Sequence, residues 1–322
     1  MGILAGDIGG TKTHLALFEE SDLRKKLFEK KYASRDHADF LSIVSDFLSS
    51  VEMPKKACFG VAGPVMEGVC KTTNLPWIID TKEIAKKFSI PQVELLNDLE
   101  ANGYGISLLD KVEIAILNEG KKKPGNCAIV SAGTGLGEAG MFWDGKRHVP
   151  FACEGGHTDF APRDELEMEF LRYLIEQFGH VSYERVVSGP GIHEMYRFLV
   201  DMRLEEEDPE VRNAFSLADP PLVITKLALE GKDVVSERAI DWFLSLYGAE
   251  AGNTALKFFA VGGVYLGGGL APHLLPLLRT SDFMTSFVDK GRFSNLLREI
   301  PVSVILNPEC ALLGAANYIS SR

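Results

Sequence analysis

Basic charge is in short supply in this chain. Lysine and arginine number 34 against 45 aspartates and glutamates, a formal net charge of -11. Such a balance repels phosphate backbones and excludes nonspecific nucleic-acid binding. The one basic cluster, Lys121-Lys122-Lys123, stands before Pro124-Gly125 and reads as a solvated loop. Cysteine is also sparse. Cys58, Cys70, Cys127, Cys153 and Cys310 are scattered without a CxxC pair, so neither a zinc site nor a disulfide framework is indicated. Reduced thiols in a cytoplasmic protein are the expectation. No apolar run approaches the length that spans a membrane, and the start lacks the basic region and apolar core of a signal peptide. Two familiar phosphate-loop spacings are missing too: the Walker A pattern GxxxxGK[ST], and GxGxxG after the first strand.

What is present is a glycine turn that occurs twice. Ala5-Gly6-Asp7-Ile8-Gly9-Gly10-Thr11-Lys12-Thr13 is echoed by Val130-Ser131-Ala132-Gly133-Thr134-Gly135-Leu136-Gly137. Each follows a short apolar run and leads into another, which reads as strand, glycine turn, strand. Glycine lets main-chain amides approach an anion, and threonine hydroxyls add donors. Two such hairpins facing each other suit a nucleoside triphosphate. Either turn alone is equally well explained as a tight hairpin without a ligand. Asp7 weighs toward function at the first, because a carboxylate beside phosphates calls for a cation between them. That points to Mg²⁺, held by Asp7 through water.

With 322 residues, 46% hydrophobic and 25% charged, the chain fits a globular protein of about two domains. Strands are expected at 2–7, 13–18 and 27–32, a helix at 38–50, strands at 57–61 and 93–96, and a helix after Asn97-Asp98. The pattern restarts after Lys123-Pro124-Gly125 with strands at 127–131, 138–143 and 148–152. A helix follows at 164–178, with Gly179 as its C-cap. The segment 190–256 reads as largely helical, interrupted by an exposed connection at 205–219. Strands at 258–266 and 302–306 and a helix at 310–319 close the chain. The expected fold is α/β, with mixed sheets flanked by helices. The expected domains are 1–107 plus 303–322, and 108–302, with hinges near 107–125 and 300–307.

Asp98 ends an apolar strand, the position where ligands bind in open α/β sheets. A carboxylate there can take the proton of a hydroxyl that attacks phosphorus. By spacing alone it is equally a helix N-cap. In Glu154-Gly155-Gly156-His157, two glycines let both polar side chains turn toward one ligand. A metal is the rival reading, but His157 has no second histidine at ligand spacing, and an isolated histidine is more often structural. Glu184 alone reads as a solvated side chain or salt bridge, and Asn74 equally as part of a plain turn. Together these carboxylates and amides suit a neutral polyol, and no arginine cluster recommends a charged substrate.

In combination and order, these segments resemble the bacterial-type glucokinases, a branch of the superfamily that joins sugar kinases, actin and the heat-shock chaperone ATPases. The resemblance covers essentially the whole chain. It rests on Gly6-Asp7-Ile8-Gly9-Gly10-Thr11, Leu96-Asn97-Asp98-Leu99-Glu100-Ala101, Ala132-Gly133-Thr134-Gly135-Leu136-Gly137, Glu154-Gly155-Gly156-His157-Thr158-Asp159-Phe160-Ala161-Pro162 and Glu184-Arg185-Val186-Val187-Ser188-Gly189-Pro190-Gly191. No cysteine-rich zinc motif follows His157, and no DNA-binding segment precedes the first turn. Both absences favour the zinc-free glucokinase branch over the neighbouring kinase and repressor family.

The resemblance implies two RNase H-like (actin-like ATPase) domains with ATP in the cleft between them, closing on sugar. It implies Asp98 as general base on the glucose 6-hydroxyl, in the first step of glycolysis. Asn74, Asn97, Asp98, Glu154, His157 and Glu184 would line the sugar. Gly6, Asp7, Ile8, Gly9, Gly10 and Thr11, with Gly133, Thr134 and Gly135, would hold phosphates. Gly267, Gly268 and Gly269 would lie by the adenosine. ATP and Mg²⁺ are the expected co-substrate and ion, and a homodimer is expected on general grounds. A kinase for another hexose or an amino sugar, polyphosphate as donor, and an inactive sugar-sensing regulator stay open. So does the role of Lys12.

Overall fold

The computed structural model describes residues 2–72 and 75–322. The chain opens with three consecutive strands, β1 (Gly2–Ile8), β2 (Lys12–Glu19) and β3 (Asp22–Ala33). Then come α1 (Phe40–Leu48), β4 (Lys56–Val61), the short strands β5 (Val65–Met66), β6 (Val69–Lys71) and β7 (Ile78–Asp80), α2 (Thr81–Phe88), β8 (Gln92–Asn97) and α3 (Asp98–Ile106). A second run starts with β9 (Ile114–Asn118), β10 (Cys127–Ala132), β11 (Leu136–Trp143) and β12 (His148–Cys153). It continues through α4 (Glu165–Phe178), α5 (Gly189–Asp201), α6 (Pro209–Phe215), α7 (Pro220–Glu230) and the long α8 (Val234–Lys257). It ends with β13 (Gly263–Gly267), the short helices α9 (Leu270–His273), α10 (Leu275–Leu278), α11 (Phe283–Val288) and α12 (Ser294–Arg298), then β14 (Val302–Ile305) and α13 (Cys310–Ser320).

Backbone contacts divide the chain into two compact units. One comprises Met1–Glu113, Lys146–Ala152 and Asn307–Arg322; the other comprises Ile114–Gly145 and Cys153–Leu306. The first sheet runs β3-β2-β1-β4-β8. Within it β1 pairs antiparallel with β2 and parallel with β4, and β4 pairs parallel with β8. The second sheet runs β12-β11-β10-β13-β14-β9. There β10 pairs antiparallel with β11 and parallel with β13, and β13 pairs parallel with β14. The same mixed pattern of hairpin followed by parallel crossovers is thus built twice, as the α/β expectation required.

Alternation along β1 explains how one sheet buries two faces. Ile3 and Ala5 pack on one side with Ala315, Ala316 and Ile319 of α13, while Leu4 and Ile8 pack on the other with Phe40, Phe47 and Phe59. The second unit has one continuous core, in which Val130, Val264 and Val304 of the sheet meet Phe198 of α5 and Phe243 and Tyr247 of α8. Among the described residues no helix is long and apolar enough to cross a membrane.

Two local expectations need correction. The segment 205–219 is not simply a connection, because it holds α6. Asp208 caps that helix by accepting from Glu210 N at 2.8 Å, Pro209 starts it, and Val211 is buried beneath it. The apolar run 258–266 is not all strand: α8 persists to Lys257 and β13 begins only at Gly263. Between them Ala260 N bonds back to Ala255 O at 2.8 Å, so these apolar residues wrap the helix end. The Lys121-Lys122-Lys123 cluster lies in an exposed loop, as expected, and there Lys121 and Lys123 share one partner. Both bond the Glu299 carboxylate, at 2.6 and 2.7 Å, and hold its pKa down at about 2.

Candidate active site

The first glycine turn closes the β1–β2 hairpin between the paired residues Ile8 and Thr13. Gly9 N donates to Lys12 O at 2.9 Å, which makes the turn tight. A buried serine outside the motif anchors it. Ser34 Oγ donates to Gly9 O at 2.8 Å and lies 2.9 Å from the Thr13 hydroxyl, and Ser34 N donates to Thr11 O at 3.0 Å. Nothing in the motif spacing pointed to Ser34, which comes from the loop after β3.

Strand register brings the two acids of this unit to one edge. Asp7 is level with Gly60 of β4, and Gly60 with Leu96 of β8, two residues before Asp98. With strands spaced about 4.8 Å apart, two strand intervals put these positions on the order of 10 Å from each other along the carboxyl edge of the sheet. Burial raises the Asp7 carboxyl from 3.8 to about 6, and the Lys12 ammonium pulls the other way. Lys12 therefore acts electrostatically on Asp7. No hydrogen bond reaches the Asp7 side chain among the described residues. A desolvated carboxylate without a donor has the chemistry to hold a hydrated divalent cation, so the residues present fit Mg²⁺.

Of the readings open for Asp98, the structure removes the N-cap. Asn97 is the N-cap of α3: its Oδ1 accepts from Leu99 N at 2.9 Å, and Glu100 reaches back to Asn97 N at 3.0 Å. This capping box leaves Asp98 as the first residue of the helix. The half-buried Asp98 also accepts from Leu99 N, at 3.0 Å, where the helix dipole favours an anion. The Asn97 amide nitrogen is committed to Gly63 O at 3.3 Å. Asn74 lies outside the described residues.

The second turn is braced differently. Gly133 N donates to Gly135 O at 2.9 Å, and the first amide of α5, Gly189 N, donates to Gly133 O at 2.8 Å. Glu184 reaches in from the turn Tyr183–Arg185, and its Oε2 accepts from Leu136 N at 2.9 Å. Ser188, the N-cap of α5, donates to Glu184 O at 2.6 Å and so ties this turn to the helix. A Ser-Gly-Pro helix start was a sequence signal that could have found it.

Gly267 sits level with Ser131 on the adjoining parallel strand. Gly268 follows in the left-handed region at φ +76°, with its Cα pressed against Ala132 O, so only glycine fits there. The Gly267-Gly268-Gly269 turn and the Gly133-Thr134-Gly135 turn therefore share one sheet edge.

Glu154 precedes a single helical turn, Gly155–His157, and His157 is its last residue. The Gly156 Cα packs against Leu136 O, with no room for a side chain, which holds this turn beside the second glycine turn. His157 Nε2 lies 4.0 Å from Glu154 Oε2, and His157 Nδ1 lies 3.9 Å from Glu184 Oε1. Three of the six residues expected at the sugar, Glu154, His157 and Glu184, thus converge within the second unit. Glu154 and His157 are 64% and 59% exposed and available to a ligand, whereas Glu184 is half-buried and already bonded to the main chain.

These features can be set beside known proteins. The glucokinase family model matches residues 4–322. Glucokinase of Nostoc sp. (strain PCC 7120) is 45% identical over 98% of this chain and 97% of its own length. Glucokinase of Synechocystis sp. (strain PCC 6803) is 41% identical over 98% of each. The crystal structure of a glucokinase from an Antarctic psychrotroph superposes with a TM-score of 0.85 at 29% identity, covering 100% of this chain and 99% of that one. With the family model spanning nearly every residue and both glycine turns in place, this chain belongs to the glucokinase family.

Proposed function

We propose that the chain transfers the γ-phosphoryl group of ATP to the 6-hydroxyl of glucose, with Asp98 as the general base. The glucose O6 attacks phosphorus in line, the bond from phosphorus to the ADP bridging oxygen breaks, and the O6 proton passes to Asp98. Glucose 6-phosphate and ADP are the products. Phosphoryl transfer needs mainly positioning and charge neutralisation, which is what glycine turns and a placed carboxylate supply. The single observation that supports this reading best is the pairing of Asp7 and Asp98 on one sheet edge, the first desolvated and the second at a helix N-terminus.

In this reading the first unit supplies the base and, through Asp7, the residue that holds Mg²⁺. When bound, that ion neutralises phosphate charge. The second unit supplies Glu154 and His157 to the sugar hydroxyls. Its turn Gly133-Thr134-Gly135 serves the phosphates, and Gly267-Gly268-Gly269 the adenosine side. Glu184 serves the site by holding Leu136 N as well as by facing His157. Cytoplasmic location and a homodimeric state complete the proposal on general grounds alone; sedimentation of the purified protein tests the latter.

A coupled ADP-release assay over a sugar panel is the decisive experiment. Asp98→Ala should lower kcat on glucose by roughly 10²–10⁴, the scale of a general base. Near-normal turnover in that variant would remove Asp98 from the chemistry, and lack of activity on glucose in the parent would overturn the substrate.

A further inference from the structure

The second unit buries two carboxyl groups that the proposed chemistry leaves without a task. Glu138 of β11 is 2% exposed, and Glu250 of α8 is fully buried. Glu250 is well supplied with donors: Lys257 Nζ lies 3.0 Å from its Oε1, and Asn253 Nδ2 donates to its Oε2 at 2.8 Å. Glu138 is not, since neither of its oxygens has a hydrogen-bond partner among the described residues. Its polar neighbours are the Glu250 carboxylate and the Thr254 hydroxyl. Two carboxylates side by side in a dry site cannot both be ionised, and the one held by an ammonium and an amide keeps the charge.

The pair adjoins the turn that carries Glu154 and His157. Glu138 Oε2 lies against Gly155, where a side chain would have to displace it, and Cys153 Sγ donates to Glu138 O at 3.3 Å. On the other side, the Asn253 amide that binds Glu250 also donates to Tyr183 OH at 3.0 Å. Tyr183 N in turn donates to Thr158 O at 3.0 Å, and Thr158 N to Gly155 O at 3.0 Å. A closed circuit thus runs from Glu138 through Glu250, Asn253 and Tyr183 back to the Gly155–His157 turn.

We propose that Glu138 and Glu250 share a single proton, carried by Glu138, and that this neutral-plus-charged pair positions the Gly155–His157 turn so that Glu154 and His157 meet the sugar. The proposal rests on the reading of those two residues as sugar contacts. Glu138 and Glu250 are positioning residues; neither is assigned contact with glucose. While Glu138 is protonated it can donate to Glu250 and pack against Gly155. When it ionises, two like charges face each other behind the turn, and the turn is pushed from its seat.

The titratable and charged groups around the pair are Lys257 on α8, Cys153, Glu154, Tyr183, Tyr247 and Lys290. Burial, then the charge of Glu250, raises the Glu138 carboxyl to about 8, with Lys257 opposing. Burial also raises Cys153, Tyr183 and Tyr247, and lowers Lys290. The proton on Glu138 is therefore present at neutral pH and lost as pH rises through about 8.

The test is the glucose Kd measured by calorimetry without nucleotide from pH 6.5 to 9.5, where neither Asp98 chemistry nor ATP ionisation intervenes. In the unaltered protein the Kd should stay level up to neutral pH and then rise about tenfold or more, the scale of a displaced binding group. Glu138→Gln keeps a donor for Glu250 but cannot ionise, so its Kd should stay level across the range. Glu250→Gln removes the like charge that an ionised Glu138 would face, so its alkaline rise should be lost as well. A level profile in the unaltered protein overturns the proposal without any variant, and so does a rise that survives Glu138→Gln. Glu154→Ala and His157→Ala separate the two ideas. If neither weakens glucose binding, the sugar reading itself fails; if both do while Glu138→Gln keeps the alkaline rise, only the positioning role is lost.

Discussion

The two glycine turns are alike in hairpin geometry and opposite in their charge. Asp7 stands one residue before the end of β1, cross-strand from His14; Ser131 occupies the corresponding place in β10, cross-strand from Gly137. The first turn is anchored by neutral hydroxyls, those of Ser34 and Thr13, and has a desolvated acid at its root. The second is anchored by a carboxylate, Glu184, and by a helix N-terminus, and has only a hydroxyl at its root. Carboxylate and phosphate tolerate each other only across a cation. The asymmetry teaches that one backbone shape can carry two electrostatic settings, and it fits the proposed reading, in which the first turn meets phosphate through a cation and the second meets it through amides.

Substitution at the root positions should break the comparison most strongly. Asp7→Asn should cut turnover by about 10²–10³, the scale of one charge-stabilising group, whereas Ser131→Ala should cost less than about fivefold, the scale of a neutral hydrogen bond. Steady-state kinetics with varied Mg²⁺ checks both, and equal losses would erase the distinction. The same variant carries an opposite stability signature. The folded Asp7 pKa, about 6, lies above its ordinary 3.8, so its contribution is fully present below about pH 4 and is lost as pH rises to about 6. At pH 7 without ligand, Asp7→Asn should therefore melt a few degrees higher than the parent.

The next effect sharpens the comparison within the second unit. Gly268→Ala puts a side chain at φ +76° and against Ala132 O, and should destabilise by roughly 2–4 kcal/mol in urea unfolding. Gly133→Ala meets nothing within 4 Å and should leave stability within about 0.5 kcal/mol. The KM for ATP should nonetheless rise about tenfold, because the added methyl obstructs approach to a charged ligand. Destabilisation by Gly133→Ala, or an unchanged KM, would make that glycine a structural turn only. The smallest effect concerns the first turn. Ser34→Ala removes its bonds to Gly9 and Thr13 and should cost about 1–2 kcal/mol by thermal unfolding, with a modest rise in KM for ATP.

The hairpins, most strands and most long helices were legible because their signals are local. Apolar alternation, helical spacing, a capping aspartate before α4 and a glycine after it all lie within a few residues of what they specify. The errors arose where local signals conflict. Four charged residues before Pro209 suggested a loop, yet Asp208-Pro209 is also a helix start, and burial of Val211 tipped the balance. The run 258–266 has strand composition, but its first residues serve the end of α8. Among the site residues, Glu154 and His157 were legible as a pair, and Asp98 as lying just past the end of a strand, where α3 begins. Spacing left Asp98 open as a helix cap because Asn97 and Asp98 are both good capping residues, and only Glu100 reaching back to Asn97 N decides for Asn97.

By itself, then, the sequence determined the chemistry on offer: two amide-rich turns, an acid beside the first, and a small set of carboxylate and amide side chains suited to a polyol. It did so because those patterns are set by residue type and short spacing. Tertiary structure alone decided which groups support them. Ser34 lies 25 residues from Gly9, Glu184 lies 48 from Leu136, and Glu138 meets a glutamate on a helix far along the chain. No periodicity encodes such meetings. They follow from strand register and helix packing, which remove water from these side chains and leave each with only the partners the fold brings to it.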